Sequence, residues 1–323
     1  MPKRSFKQSL LLTIKGLAMG AADVVPGVSG GTIAFISGIY EELISTIHSL
    51  DLGVFKTLKK QGLKKAWQDY NLGFLAALFT GIAISILSLA KLITMLLGQY
   101  PVLVWSFFFG LVIASIIYIA KQITNYNLKA IIALVFAAVL SYGITLAEPI
   151  ADTESIWFLF IAGFIAIIAM ILPGISGAFI LLLIGGYTVV IGAINQLIDS
   201  LTTLNLSSLG NALLKIGVFA VGAIAGLKVF SGVLNWMFKN YKNPTLAVLT
   251  GFMIGALNKI WPWKQVLQYR KNSHGEQIPF IEKSILPDMY QGDPRVFKAL
   301  LFMLAGFIII FLLEFIANKK NPN

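Results

Sequence analysis

The chain has 323 residues, of which 57% are hydrophobic and only 12% are charged, and its mean hydropathy is +0.83. The charged share is about half that of soluble proteins, and apolar segments of membrane-spanning length recur along the sequence. The absence of cysteine excludes disulfides and thiolate metal sites, and two histidines, His48 and His274, are too few and too far apart for a metal motif. The sequence therefore predicts an all-α polytopic membrane protein with no metal and no cofactor.

The first predicted helix, residues 8–24, runs into a helix-breaking segment within an otherwise apolar run. This segment is Asp23-Val24-Val25-Pro26-Gly27-Val28-Ser29-Gly30-Gly31-Thr32. A second helix is predicted at 32–50, so the two helices form a hairpin that turns at 26–31. A basic, polar linker is predicted at 51–70. Three crossings are predicted to follow, at 71–97, 102–120 and 129–147.

The second half of the sequence repeats this layout. Residues 156–172 run into Leu172-Pro173-Gly174-Ile175-Ser176-Gly177, which repeats the Pro-Gly-x-Ser-Gly core 147 residues later, and at the same offset Gly38-Ile39-Tyr40 falls on Gly185-Gly186-Tyr187. The predicted elements are a hairpin turning at 173–177, a helix at 178–198, a polar linker at 199–213, crossings at 214–235, 245–260 and 297–317, and an outer loop at 261–296. Two copies in register indicate an internal duplication, with repeats at 1–147 and 148–323.

The distribution of basic residues predicts how the chain is oriented. Fifteen Lys and Arg fall in the segments assigned to the cytoplasm, including both termini, and none falls in the three short outer segments. This explains the net charge of +11 without a nucleic-acid partner. An odd number of crossings separates the copies, so the second copy is inverted. The predicted fold is an inverted-topology repeat, in which each half is one broken re-entrant-type hairpin plus three transmembrane helices.

The repeated motif has the composition of an anion site. A returning half-helix presents unpaired N–H groups and a partial positive charge, glycines let an anion approach the backbone, and hydroxyl groups add donors. Broken helices in duplicated halves are also typical of a transporter's central site. The predicted phosphate-binding residues are Ser29, Gly30, Gly31, Thr32, Ser176 and Gly177, and the hairpin turns are Pro26, Gly27, Pro173 and Gly174.

Charged residues within the membrane are the second indication of function. Asp23 is interpreted as a site for a coupling ion, H⁺ or Na⁺, or as a carboxylate that binds the broken backbone. Lys91 and Lys228 occupy equivalent late positions in two crossings, and each is interpreted as a counter-ion for the substrate or as a snorkelling residue. Glu41 and Glu42 are read as a solvated helix end or a cation site.

From Met19 to Thr32 the sequence resembles the polyprenyl-phosphate transporter family. The second motif, Gly185-Gly186-Tyr187 and the stretch from Gly251 through Trp261-Pro262-Trp263 fit the same family, so the resemblance covers nearly the whole chain. The resemblance implies a flippase of the bacterial cytoplasmic membrane that moves undecaprenyl phosphate from the outer to the inner leaflet for cell-wall (peptidoglycan) precursor recycling. Its partners would be the polyprenyl-phosphate lipid and membrane lipids, while the oligomeric state is left open.

Two other functions fit the pattern less well. The first is a small-anion or ion-coupled solute transporter that uses the same half-helix site. The second is an undecaprenyl-pyrophosphate phosphatase, because such enzymes carry a similar Pro-Gly-x-Ser motif followed by Arg-Ser. Here Gly30-Gly31 and Gly177-Ala178 stand in those places, and developing phosphoryl charge would lack its arginine. The sequence therefore predicts a transporter rather than an enzyme.

Overall fold

The computed structural model describes residues 4–25, 28–51, 53–147, 155–203, 206–271 and 277–320. Within these ranges the chain forms thirteen α-helices and one two-stranded antiparallel sheet. The helices are α1 (Phe6–Val24), α2 (Gly30–Ile36), α3 (Tyr40–Ser49), α4 (Gly53–Asp69), α5 (Leu72–Gln99), α6 (Pro101–Ala120), α7 (Leu128–Leu146), α8 (Ile156–Ile171), α9 (Gly177–Leu183), α10 (Tyr187–Thr203), α11 (Leu206–Asn240), α12 (Lys242–Ala256) and α13 (Val296–Lys320). The strands are β1 (Lys264–Lys271) and β2 (Gln277–Ser284). The predicted all-α architecture is confirmed.

Several helices have the length and composition of membrane spans. Four described helices qualify, and α9 with α10 forms a further candidate span that bends by 106°. The four spanning stretches are Leu72–Leu89, Pro101–Ala120, Leu128–Leu146 and Ser208–Asn240. Large apolar side chains such as Leu87 and Val139 are exposed on them, as expected for surfaces that face lipid. The chain is a multi-pass membrane protein.

Each hairpin contains three helices, whereas the sequence predicted two. The predicted helices 32–50 and 178–198 are both interrupted, at Gly38 with φ of 72° and at Gly185 with φ of 77°. The same hydrogen bonds end α2 and α9: Gly38 and Ile39 donate to the carbonyls of Phe35 and Ala34, and Gly185 and Gly186 donate to those of Leu182 and Leu181. A left-handed glycine with these two bonds is a standard helix terminator. The predictions were wrong because apolar periodicity continues across the turn.

Both predicted linkers are largely helical. Within the first linker, Gly53–Asp69 form α4, whose only non-helical interior residue is Gly62, with φ of 81°. Its lysines alternate with exposed apolar side chains such as Phe55 and Trp67, an arrangement suited to a helix that lies along a membrane interface. Residues 199–213 are divided between the end of α10 and the start of α11.

Helices from the two halves pack against each other. Within the halves, α1 contacts α5 and α8 contacts α11, whereas α7 packs on α12 and α6 packs on α13. Glycines allow this close approach: a Cβ on Gly16 would collide with the backbone of Leu78, and one on Gly163, 147 residues later, would collide with that of Phe219. Small residues at helix contacts are the usual solution where lipid supplies no hydrophobic drive.

The predicted outer loop, 261–296, contains the β1–β2 hairpin. Two indole groups hold the segment together internally: Trp261 Nε1 donates to the carbonyl of Ile285 at 2.8 Å, and Trp263 Nε1 donates to that of Pro294 at 2.9 Å. Trp263 is buried with Val102 of α6 and Ala299 of α13. The hairpin is therefore packed onto the helix bundle.

Candidate functional site

The two helix breaks lie against each other in the protein core. Thr32 Oγ1 accepts a hydrogen bond from the amide of Gly174 at 3.0 Å. The Ser29 hydroxyl lies 3.3 Å from the carbonyl oxygen of Met170 and 3.4 Å from that of Leu172. The structure thus brings Ser29 and Thr32 of the first motif into direct contact with the end of α8 and the turn that follows it.

The backbone donors at the start of α2 are already paired in this conformation. Ser29 is the N-cap residue, and its oxygen accepts the amide of Gly31 at 3.1 Å. Asp23 Oδ1 accepts the amide of Gly30 at 2.6 Å. A Cβ added to Gly30 would stand 2.5 Å from the Asp23 carboxylate, so this contact requires glycine. The geometry matches the reading of Asp23 as a carboxylate that binds the broken backbone.

Tyr40 completes the contact between the hairpins. Its buried hydroxyl donates to the carbonyl of Ile171 at 3.1 Å. With Ser29, it provides partners for carbonyls at the end of α8, which have no continuing helix to bind them. Sequence reasoning matched Tyr40 to Tyr187 but gave it no role, although a tyrosine directly after a glycine turn was the available signal.

The second motif differs from the first because it faces a cleft. Ser176 is the N-cap residue of α9, and its side chain makes no capping hydrogen bond. The cleft encloses about 240 Å³ of atom-free space and is narrow, with room for about one water molecule. Its lining residues are Ser141, Ile144, Thr145, Gly174, Ile175, Ser176, Phe179 and Lys259. Pro173 is buried beside it, and a Cβ on Gly177 would stand 2.6 Å from the carbonyl oxygen of Ala166.

Lys259 is a cationic residue that sequence reasoning did not select. Its ammonium group lies 4.4 Å from the centre of the Phe179 ring. Burial lowers the pKa of Lys259 and lowers that of Lys264 to about 8, while the carboxylate of Glu282 acts in the opposite direction on both. The signal in the sequence was a pair of lysines flanking Trp261-Pro262-Trp263, which only the fold places beside the second motif.

The predicted counter-ion Lys228 lies at the C-terminal end of α3. Its ammonium group donates to the carbonyl of Leu50 at 2.6 Å and to that of His48, at the end of α3. Lys228 therefore caps that helix, a role that suits a cation at a C-terminus. The side chain of Lys91, and the whole of Pro26 and Gly27, lie outside the described residues.

The two glutamates of α3 are paired with basic residues. Glu42 accepts hydrogen bonds from Arg4 and, at 2.8 Å, from the side-chain amide of Asn71. Glu41 pairs with Lys242 at 3.1 Å. Glu41 and Glu42, predicted as a solvated helix end or a cation site, are thus ion-paired at the start of α3.

Comparison with known proteins places this architecture in a family. Residues 19–278 match the model of the undecaprenyl phosphate translocase-like family, and the match begins at Met19, the first residue of the motif string. The chain belongs to the undecaprenyl phosphate translocase-like family. The resemblance found in the sequence is confirmed, and so is the expectation of a transporter rather than an enzyme.

Two curated proteins are similar to this chain over most of their length. A polyprenyl-phosphate transporter of Vibrio cholerae is 44% identical over 311 residues, covering 95% of this chain and 96% of that protein. A polyprenyl-phosphate transporter of Staphylococcus aureus is 34% identical over 262 residues, covering 77% of this chain and 85% of that protein. No solved structure matches the chain.

Proposed function

We propose that this protein carries a polyprenyl phosphate, undecaprenyl phosphate in particular, between the leaflets of the bacterial cytoplasmic membrane. The observation that carries the proposal is the contact between the two broken hairpins, where the amide of Gly174 meets Thr32. Junctions of this kind between discontinuous helices are where transporters bind substrate. The names of the two curated relatives supply the chemical class of the lipid.

The junction explains how one site can serve both faces of the membrane. In the present conformation Ser29 contacts backbone carbonyls at the end of α8, and Thr32 accepts the amide of Gly174 across the junction. When the hairpins separate, these groups and Ser176-Gly177 become free to bind phosphate oxygens, while the prenyl chain stays in lipid. Exchange of internal hydrogen bonds for bonds to the phosphate keeps polar groups paired, as an apolar surrounding demands.

The direction we propose is from the outer to the inner leaflet, returning the carrier for cell-wall precursor synthesis. A phosphate head carries about one to two negative charges, and inward movement against an inside-negative potential costs about 2.3 kcal/mol per charge per 100 mV. Co-transport of H⁺ or Na⁺ would offset that cost. Asp23 is the proposed ion site, since binding a cation there would weaken its hold on the Gly30 amide.

The experiment is a leaflet-distribution assay for undecaprenyl phosphate in proteoliposomes, with and without an H⁺ or Na⁺ gradient. The wild-type protein should move the lipid, faster with the gradient of the coupling ion. The variant in which both Ser29 and Ser176 are replaced by Ala should lose at least tenfold in rate, because it lacks the serine hydroxyl that each motif contributes. Asp23→Asn should transport without responding to the gradient.

Ser88→Ala is the matched control, because Ser88 is an exposed serine of α5 that binds only the carbonyl of Ile84 in its own helix. Its transport rate should equal that of the wild type. Wild-type protein that leaves the leaflet distribution unchanged would refute the function. Full activity in the doubly substituted Ser29 and Ser176 variant would refute the site.

A further inference from the structure

The β1–β2 hairpin buries a lysine whose ammonium group has one carboxylate near it. The side chain of Lys264 is only 7% exposed, and its ammonium group lies 3.4 Å from the centre of the Trp105 ring on α6. Its nearest carboxylate oxygen, on Glu282 of β2, is 3.5 Å away, and the ammonium has no hydrogen-bond partner among the described residues. A buried ammonium in this state is costly unless another group binds it.

A second lysine, Lys259, lies close enough to be affected by the charge of the same carboxylate. Lys259 and Lys264 both feel the charge of Glu282, and Lys264 also feels the repulsion of Lys259. Two ammonium groups and one carboxylate leave one positive charge in excess in a region shielded from solvent. An anion placed between them would remove this excess and supply the missing hydrogen-bond acceptor.

The lysine cluster, Lys259 and Lys264 with Glu282, continues into the cleft beside the second motif. Lys259 lines that cleft together with Ser176, and its ammonium stands on Phe179, three residues further along α9. Thr145, at the end of α7, lies in the same cleft and accepts a hydrogen bond from Asn258 at 2.8 Å. Through Lys259, the lysine cluster therefore adjoins the cleft that Ser176 lines.

We propose that the lysine cluster is an entry site for a phosphate monoester, bound by the ammonium groups of Lys259 and Lys264 and passed to Ser176. The identity of that monoester as a polyprenyl phosphate rests on the function proposed above. The phosphate gives Lys264 a direct hydrogen-bond acceptor in addition to the Glu282 carboxylate 3.5 Å away. This gives the asymmetric 261–296 segment a role, since it supplies one of the two cations, on the face that the charge pattern predicts to be outer.

Binding by purified full-length protein in lipid nanodiscs tests the site, with farnesyl phosphate and inorganic phosphate as separate probes. Lys259→Gln and Lys264→Met should each weaken binding about tenfold or more, because each removes one charge-assisted bond. Met at 264 retains an apolar stem over Trp105. Lys259→Arg should restore most of the affinity, which a purely structural role for position 259 would not require.

Lys283→Gln is the matched control: Lys283 adjoins Glu282 on β2 but is exposed, so its removal changes the net charge equally and should leave affinity unchanged. Loss of farnesyl phosphate binding alone assigns the site to a lipid headgroup, whereas equal loss for inorganic phosphate assigns it to the phosphate group by itself. Equal affinities in Lys259→Gln, Lys264→Met and Lys283→Gln would overturn the site. If the site binds but wild-type protein moves no lipid in proteoliposomes, the proposed function fails and the entry site stands.

Discussion

Single hydroxyl groups hold the two hairpins together. Ser29, Thr32 and Tyr40 all come from the first hairpin, and each binds backbone at the end of α8 or in the turn after it. A helix that stops within a membrane leaves carbonyls with no water to bind. The hydroxyls of Ser29 and Tyr40 donate to such carbonyls with little bulk, whereas Thr32 accepts the amide of Gly174. All three bonds can be released when the hairpins move apart.

Tyr40→Phe should destabilise the protein by about 1–3 kcal/mol, because the buried carbonyl of Ile171 loses its donor. Thermal unfolding of the purified protein, followed by circular dichroism, measures the loss. Tyr126→Phe is the control, since the Tyr126 hydroxyl donates to the carbonyl of Ala120 at an exposed position, where water replaces the lost bond. Equal melting temperatures for the two variants would contradict the role of Tyr40.

Phosphate affinity should depend on pH through Lys264. Burial lowers the pKa of this lysine to about 8, so the ammonium is charged below that pH and neutral above it. Lys259 and Glu282 face the same space, and burial lowers the pKa of Lys259 too. Affinity for inorganic phosphate should therefore fall as the pH rises through about 8, and Lys264→Met should lack that step. Identical pH profiles for the wild type and Lys264→Met would contradict the assignment of Lys264 to the phosphate site.

At the scale of elements, each hairpin contains a helix of seven residues held between two breaks. Both α2 and α9 begin after a serine and end at a left-handed glycine. Such short helices are marginal by themselves, so their positions depend on the turns at either end and on contacts with neighbours. A short segment of this kind can change position with few bonds lost, as movement of substrate between leaflets requires.

Gly38→Ala and Gly185→Ala should each cost about 1–2 kcal/mol, since both glycines have positive φ. At Gly38 an added Cβ would meet no atom within 4 Å, so the cost there is backbone strain alone. Gly210→Ala serves as the control: Gly210 lies in α11, also with open space around it, and alanine should stabilise that helix by up to about 1 kcal/mol. Thermal unfolding of the three variants measures these differences. A loss of stability in Gly210→Ala alone would contradict the role of the two left-handed glycines.

At the scale of the whole molecule, the halves are interleaved. The pairs α7–α12 and α6–α13 each combine one helix from either half. Any movement of one half relative to the other therefore changes these helix contacts. The matching turns at Gly38 and Gly185 support the internal duplication, and the inverted orientation of the copies remains a prediction from the distribution of charge.

Cysteine labelling can test that orientation directly, because the chain has no native cysteine. Lys60→Cys, Thr124→Cys and Lys283→Cys place single thiols at exposed positions on α4, after α6 and on β2. In cells that have lost the cell wall but keep an intact cytoplasmic membrane, a membrane-impermeant maleimide should label only position 283. Lysis should make positions 60 and 124 reactive. Labelling of all three in intact cells would refute the predicted inside location of the N-terminal half's loops.

The sequence alone determined the membrane class, most of the long helices, the position of both breaks and the family. These properties depend on local composition: apolar length sets a span, Pro-Gly breaks a helix, and a repeated motif is visible without any coordinates. It did not predict the turns at Gly38 and Gly185, because glycine within an apolar run is tolerated in membrane helices and leaves the hydrophobic pattern unbroken.

The tertiary structure decided which residues meet. It paired the donors of Ser29 and Gly30 inside the protein, placed Lys228 at the end of α3, and brought Lys259 to the cleft beside Ser176. Distances between residues remote in sequence follow from how helices of both halves pack together. Whether a buried charge has a partner therefore depends on the folded neighbourhood, which spacing along a chain does not specify.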